Sequence, residues 1–224
     1  MALRLRLYRR FLPFPIVPVL LVIFPPKYWG DASVDMLLTA FGFLLSATGE
    51  SLRFWAWGSN ALAGKSGVRD RGAYALMRHP LYAGNFLIVT GLAVNYANPV
   101  AFLLLVTPFA FVYNVITRAE EKLMVEKFAS AYQGYRDACL PRFLPALRNW
   151  GLAVRTTFPF NWRFAWRKEY PSCCACLAGF AGLELYQEVL AFGWTRPWYS
   201  NWLWVVVMLI SGSVALLLSL GKKP

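Results

Sequence analysis

Charge is scarce in this chain. Only 15% of its 224 residues are Asp, Glu, Lys or Arg, against about 25% in ordinary soluble domains. That shortage excludes a disordered chain, a coiled coil and most soluble folds. Histidine is scarcer still: His79 stands alone. A metal site built on the Cys173-Cys174-Ala175-Cys176 cluster lacks an evident fourth ligand, because His79 is remote in sequence. The four cysteines, with Cys139 the remaining one, also do not form a disulfide framework, which belongs to small, polar, secreted chains. The cluster reads instead as small membrane-embedded residues or an acylation site near the interface. Acidic residues number 11 against 23 basic ones, a net charge of +12. Such an excess suits nucleic acid or anionic lipid. What the chain has in abundance decides between them: 58% hydrophobic residues, 17% aromatics and ten Trp. Lipid is the expected solvent and partner, not nucleic acid.

The apolar residues fall into six stretches, at 11–24, 33–57, 81–97, 99–117, 172–192 and 201–219. Most approach the length of about 20 residues that crosses a hydrocarbon layer. The first is short and interrupted by Pro13, Pro15 and Pro18; its basic start resembles a signal peptide, but Pro-Pro-Lys-Tyr-Trp follows in place of a small-residue cleavage site. Basic residues give the orientation. Arg4, Arg6, Arg9 and Arg10 precede the first stretch, and Lys65, Arg69, Arg71 and Arg78 separate the second from the third. The segment from Arg118 to Lys168 separates the fourth from the fifth, and Lys222 and Lys223 end the sequence. The opposite side carries Lys27 and Arg196. The expected architecture is therefore an all-α integral membrane domain over 1–224, with six transmembrane helices and both termini cytoplasmic. A bacterial inner membrane and the endoplasmic reticulum fit equally. Residues 140–171, rich in proline, are expected to be irregular and to lie along the surface.

Two cytoplasmic segments carry chemistry. In Gly72-Ala73-Tyr74-Ala75-Leu76-Met77-Arg78-His79-Pro80-Leu81-Tyr82-Ala83-Gly84, Gly72 permits a turn or close approach, and proline after His79 marks a helix boundary. Arg78 and His79 thus sit where a loop meets a span, with Tyr74 and Tyr82 adding polar-tipped rings and Gly84 leaving room beside the helix. The same residues also suit contact with lipid headgroups. In the second segment, 118–136, Met124, Phe128, Ala131, Tyr132 and Tyr135 repeat at helical spacing. This predicts a separate amphipathic helix near the membrane surface. Glu120 and Glu121 open it beside Arg118; they either cap the helix dipole or hold a ligand ammonium, with a guanidinium holding a carboxylate.

Taken together, Gly72-Ala73-Tyr74, Arg78-His79-Pro80-Leu81-Tyr82-Ala83-Gly84, Glu120-Glu121, Phe128, Tyr132, Tyr135 and Pro141 resemble the isoprenylcysteine carboxyl methyltransferase and phospholipid methyltransferase superfamily of membrane enzymes, over roughly residues 45–145. The resemblance implies S-adenosylmethionine as cofactor and a lipid or lipidated acceptor, prenylcysteine carboxylate-like or phospholipid amine-like. It implies a cofactor pocket formed by segments 58–80 and 118–145. Carried over residue by residue, Val68, Tyr74, Arg78, His79, Pro80, Leu81, Tyr82, Gly84, Glu120 and Glu121 fall on the cofactor side, and Arg118 near the substrate side. The two stretches at 172–219 are additions to that core.

The chemistry asks for alignment and exclusion of water more than for reactive side chains. Glu50 and Arg53, one helix face apart by three residues, are the acceptor-side candidates, because ionisable groups at membrane depth are costly and functional by default. The plain alternative is a self-satisfied ion pair. Glu169, Asn85 and Asn114 are weaker candidates. Two other functions compete: a nicotinamide-dependent membrane reductase of related core, and a non-catalytic adaptor using its basic face.

Overall fold

Helices account for all the regular structure among the described residues of the computed structural model, which are 16–26, 32–61, 67–138, 141–193 and 202–220. The helices are α1 (Ile16–Ile23), α2 (Ala32–Ser59), α3 (Pro80–Asn95), α4 (Pro99–Asp137), α5 (Trp150–Arg155), α6 (Trp162–Phe192) and α7 (Trp202–Leu220). Short 3-10 turns at Gly72–Ala75 and Leu147–Asn149 punctuate the two long connections. The all-α expectation therefore holds.

Two helices, α4 and α6, are long and apolar enough to cross a membrane. Their most apolar windows are only 22% and 17% buried in protein. The central helix of a soluble protein would be mostly buried, so this low burial is consistent with helices that face lipid. Helix α3 and most of α7 are apolar but shorter. The described part of the first predicted span, α1, has eight residues and rises about 12 Å, short of the roughly 30 Å hydrocarbon layer; its residues 11–15 lie outside the described residues. So do nine of the cations that set the predicted orientation, including both on the opposite side: Arg4, Arg6, Arg9, Arg10, Lys27, Lys65, Arg196, Lys222 and Lys223, and also Cys139.

The boundary at Thr117–Arg118 is not where the sequence predicts it. A span and a separate surface helix were expected; instead the helix runs on from Pro99 past Thr117–Arg118 to Phe128, and a kink at Ala129 divides it from a second helical stretch that ends at Asp137. No glycine or proline interrupts 109–133, and Ala119 to Lys122 are good helix formers. The non-helical backbone comes later, at Ala129 (φ 38°, ψ −113°). The helix starts cleanly because the Asn98 side chain accepts from the backbone N–H of Val100 and Ala101, at 2.9 and 3.1 Å, with Pro99 in the first turn. Likewise, α6 begins inside the stretch expected to be irregular. Asn161 caps it by accepting from Phe164 N at 2.9 Å, and Pro171 is carried within the helix.

Helices α2 and α3 make the most extensive helix–helix contact. Gly42 and Gly49 of α2 face Gly91 and Gly84 of α3: a Cβ on Gly42 would lie 2.5 Å from Gly91 O, and one on Gly49 would lie 2.5 Å from Gly84 O. Small residues let the two backbones approach closely. The Gly179-x-x-Gly182 pattern, also suited to close packing by sequence, is not used this way: a Cβ on Gly182 meets nothing within 4 Å.

Candidate active site

The loop before α3 is built by local geometry. Gly72 has φ +57°, a left-handed conformation that glycine takes without penalty, and a Cβ there would strike Ser59 Oγ at 2.2 Å. The Asn60 side chain grips the backbone of Arg71 through both its amide atoms, at 2.8 and 3.3 Å. Pro80 opens α3 in its first turn, and His79 is its cap residue with φ −128° and ψ 58°. Residues 141–146 run beside this loop as a strap. Arg78 N donates to Pro141 O and His79 N to Arg142 O, both at 3.0 Å, and Ala146 N donates to Leu76 O at 2.9 Å.

Two neighbouring glutamates on α4 divide between two tasks, because successive helical residues point about 100° apart. Glu121 turns inward to an ionic cluster. His79 Nε2 lies 3.1 Å from its Oε1, Arg142 bonds both oxygens at 3.1 and 3.0 Å, and Arg78 approaches to 3.4 Å. Burial opposes its charge, but the hydrogen bonds from His79 and Arg142 and the charge of Arg78 prevail, and the carboxyl is lowered to about 2. Glu120 turns the other way. It accepts the Tyr82 hydroxyl at 2.8 Å and borders a cavity of about 370 Å³.

That cavity joins the two motif segments. From the first come Val68, Tyr74, Arg78, His79, Leu81 and Tyr82; from α4 come Glu120, Met124, Phe128, Tyr132 and Tyr135, with Leu123 and Lys127. The far wall is tied down where the Tyr135 hydroxyl donates to Tyr74 O at 2.8 Å; burial pushes this phenol's pKa up, and that of Tyr132 as well. The wall materials suit a mixed ligand: aromatic rings and aliphatic chains around one carboxylate, with cationic residues Arg69 and Lys127 on the rim. Nothing in this donor set resembles a metal centre, and among the described residues no group of three or more His, Cys, Asp or Glu is placed to hold a metal ion.

The remaining predicted residues lie elsewhere. Pro80 is buried at the start of α3. Gly84 packs under Arg53, where a Cβ would meet Arg53 Cγ at 2.5 Å. Arg118 is exposed and does not border the cavity. Glu50 and Arg53 do not pair with each other. Arg53 reaches Glu169 of α6 and the Asn85 carbonyl, and Asn85 donates to the Tyr113 hydroxyl at 2.8 Å. Glu50 accepts from Ser172 Oγ at 2.7 Å and Cys173 Sγ at 3.4 Å. Tyr113 in turn packs on Tyr82, ring centroids 4.9 Å apart, so this polar chain ends against the cavity wall. Sequence reasoning missed Arg142; its signal was a lone cation just after Pro141, legible only once the strap's path is known. It also missed the bond from the cysteine cluster to Glu50.

Comparison with known proteins adds a family likeness to this arrangement. Residues 33–131 match the phospholipid methyltransferase family, part of the isoprenylcysteine carboxyl methyltransferase-like superfamily, which bears out the resemblance and points to a membrane methyltransferase. The match runs through α2, α3 and most of α4 and stops before α6 and α7. Among curated proteins, the chain is similar to the cobalt-zinc-cadmium resistance protein CzcN of Cupriavidus metallidurans, at 27% identity over 128 residues, 56% of this chain and 57% of that protein. It is also similar to the nickel-cobalt-cadmium resistance protein NccN of Alcaligenes xylosoxydans xylosoxydans, at 26% identity over 121 residues, 53% of this chain and 55% of that protein. The chain thus spans about half the length of the curated relatives it matches. No solved structure matches it.

Proposed function

We propose that this chain is an S-adenosylmethionine-dependent methyltransferase of the membrane, acting on a lipid or lipid-modified acceptor. The observation that carries the reading is the shared cavity. Residues 67–82 and 120–135 are far apart in sequence, carry the superfamily's motifs, and border one hollow in which Glu120 is held by Tyr82. S-adenosylmethionine supplies an activated methyl group when bound. The carboxylate of Glu120 suits the cofactor's amino group as a charge-assisted acceptor. The rings of Tyr74, Phe128 and Tyr132 suit its flat base. The ion cluster on Glu121 fixes His79 and Arg78 at the cavity wall, so that the loop does not reorganise when ligand arrives.

The acceptor side in this reading is the polar chain Glu50, Arg53 and Asn85 with Glu169, one helical turn from Tyr82 and sheltered from water by α6. Its task is positioning, since methyl transfer from a sulfonium depends on in-line alignment and dryness. The orientation proposed is multi-pass with six spans, cavity and both termini facing the cytoplasm, on the strength of the basic residues in the connections.

Calorimetry of the purified full chain in detergent tests the cofactor. Saturable S-adenosylmethionine binding that nicotinamide cofactors do not displace is the expected result; no heat at millimolar cofactor, or preferential nicotinamide binding, overturns it. Mass spectrometry of membrane lipids and lipidated proteins with and without the chain then identifies the acceptor by a gain of one methyl mass.

A further inference from the structure

Residues 144–168 carry no acidic side chain. Their exposed side chains are almost all of two kinds. Arg148, Arg155, Arg163, Arg167 and Lys168 are exposed cations. Leu144, Leu147, Trp150, Leu152, Phe158 and Trp162 are large apolar residues, each more than half exposed. Asn161 is the one exposed neutral polar side chain in the stretch. So many exposed apolar residues in one short segment mark a surface that meets a partner or a membrane. The segment lies beyond residues 33–131, which carry the family match.

This segment is bolted to the rest of the fold. Asn149 Nδ2 donates to Ala75 O at 3.2 Å, and Gly72 N donates to the Thr156 hydroxyl oxygen at 3.1 Å. Trp55 Nε1 donates to Thr157 Oγ1 at 2.9 Å, and Asn161 N to Gly58 O at 3.0 Å. Ala153 of α5 is fully buried against Ala75 and Leu76, while its neighbours Leu152, Val154 and Arg155 are exposed. Lys168 Nζ lies over the rings of Trp57 and Phe164, at 5.7 and 5.6 Å. The surface is therefore formed in advance, which lowers the ordering cost of binding.

We infer that residues 144–168 form a binding surface for anionic phospholipid, seated on the leaflet that borders the motif loop. Cations with no acid among them complement lipid phosphates. Arg and Lys stems lie along apolar surface while their heads stay at headgroup level, where Trp also collects. Charge alone would suit an acidic protein equally; continuity decides for lipid. Helix α6 begins inside the segment, at Trp162, and runs on as one of the two helices long and apolar enough to cross a membrane. Its 31 residues rise about 46 Å, close to the roughly 40–45 Å of a bilayer with its headgroup layers. Arg163, Arg167 and Lys168 fall within about 9 Å of its start, the depth of headgroups. The inference rests on the membrane location in the proposed reading and not on methyl transfer.

Thermal unfolding of the full chain in maltoside micelles, titrated with dioleoylphosphatidylglycerol against dioleoylphosphatidylcholine, tests it. A ligand of the folded state raises the unfolding midpoint. The expected result is a saturable rise with phosphatidylglycerol at about 0.1 M salt, none with phosphatidylcholine, and loss of the rise at about 1 M salt, where the screening length shrinks to about 3 Å. Equal responses to the two lipids overturn the surface, and so does an equal rise with sodium polyglutamate, which has charge but no acyl chain. In the triple variant Arg155→Gln, Arg163→Gln, Arg167→Gln the apparent affinity for phosphatidylglycerol falls roughly tenfold or more, each cation near the surface being worth about fivefold. The triple variant Arg118→Gln, Lys122→Gln, Arg136→Gln, at exposed cations outside the segment, keeps most of it; equal losses in the two overturn the surface. Should the first variant fail to fold, Arg155→Gln with Arg163→Gln carries the same two outcomes. A chain that stays monodisperse without detergent fails the membrane reading itself; one that needs detergent but does not tell the two lipids apart fails only this surface.

Discussion

Two carboxylates, Glu121 and Glu169, each meet a guanidinium, but their surroundings differ in charge. Glu121 sits at the motif cavity among three basic side chains, Arg78, His79 and Arg142. Cations outnumber it, and it stays ionised as an anchor. Glu169 sits inside the helix bundle, fully buried, bound to the single cation Arg53 and close to a second carboxylate, Glu50. One of its oxygens has no hydrogen-bond partner. The first cluster is over-compensated and holds two chain segments together. The second is under-compensated, and a buried group in that state is costly unless something else shares it. In the proposed reading, the first cluster is scaffold and the second borders the acceptor side.

The comparison is broken most severely by Glu169→Ala. It strips Arg53, 15% exposed at its side chain, of its carboxylate, and loss of one partner of a buried pair costs about 3–5 kcal/mol. A large fall in the unfolding midpoint in detergent is expected, with Glu169→Gln falling less because it keeps the shape and drops the charge. Next in size is Glu120→Gln. It removes one charge-assisted contact, so cofactor affinity should weaken by about 1.5–3 kcal/mol in calorimetry, with the unfolding midpoint nearly unchanged. An affinity equal to the parent's leaves Glu120 only as the structural partner of the Tyr82 hydroxyl.

Smaller effects sharpen the contrast. Glu121→Gln should destabilise by about 1–2 kcal/mol, its partners being partly solvated. The pH dependence follows from the sign of its shift. The carboxyl is lowered from 4.5 to about 2 in the fold, so its stabilisation is complete above the unfolded value and is lost as pH falls from about 4.5 towards 2. Unfolding midpoints measured across that window should decline in the parent and lose part of that decline in Glu121→Gln. Smallest of all, Arg118→Ala changes an exposed side chain and should shift stability by no more than about 0.5 kcal/mol; a marked loss of turnover would restore it to the acceptor side.

The readable parts of this molecule were those in which function is written locally. Gly72 to Gly84 announces its turn, its proline-led helix and its aromatic rings in consecutive residues, and Glu120 with Phe128 and Tyr135 announces one helix face. The cavity between them follows once both are placed. The parts that depend on chain crossing were not readable. Arg142 matters because the strap passes Arg78 and His79 by backbone pairing, and no local pattern encodes that meeting. Arg53 looked like the natural partner of Glu50, three residues away on one face, yet α6 supplies Glu169 to one and Ser172 to the other. The proline count of 140–171 misled at its end, because Asn161 starts a helix that carries Pro171 within it. The continuity of α4 was missed for a related reason: a change from apolar to amphipathic composition is not a break, and the backbone departs from helix only at Ala129.

The glycine seam between α2 and α3 has a mechanical consequence. With carbonyl oxygens set where any methyl would intrude, the paired helices interlock like notched rails, and sliding one along the other would drive the notches out of register at every contact. The loop that carries His79 is welded to one rail and Arg53 to the other, so the two travel as a single plate. The spar of α4 is pinned to that plate where Glu121 meets His79 and where the Tyr135 hydroxyl meets Tyr74 O, so the hollow between them is braced from both sides.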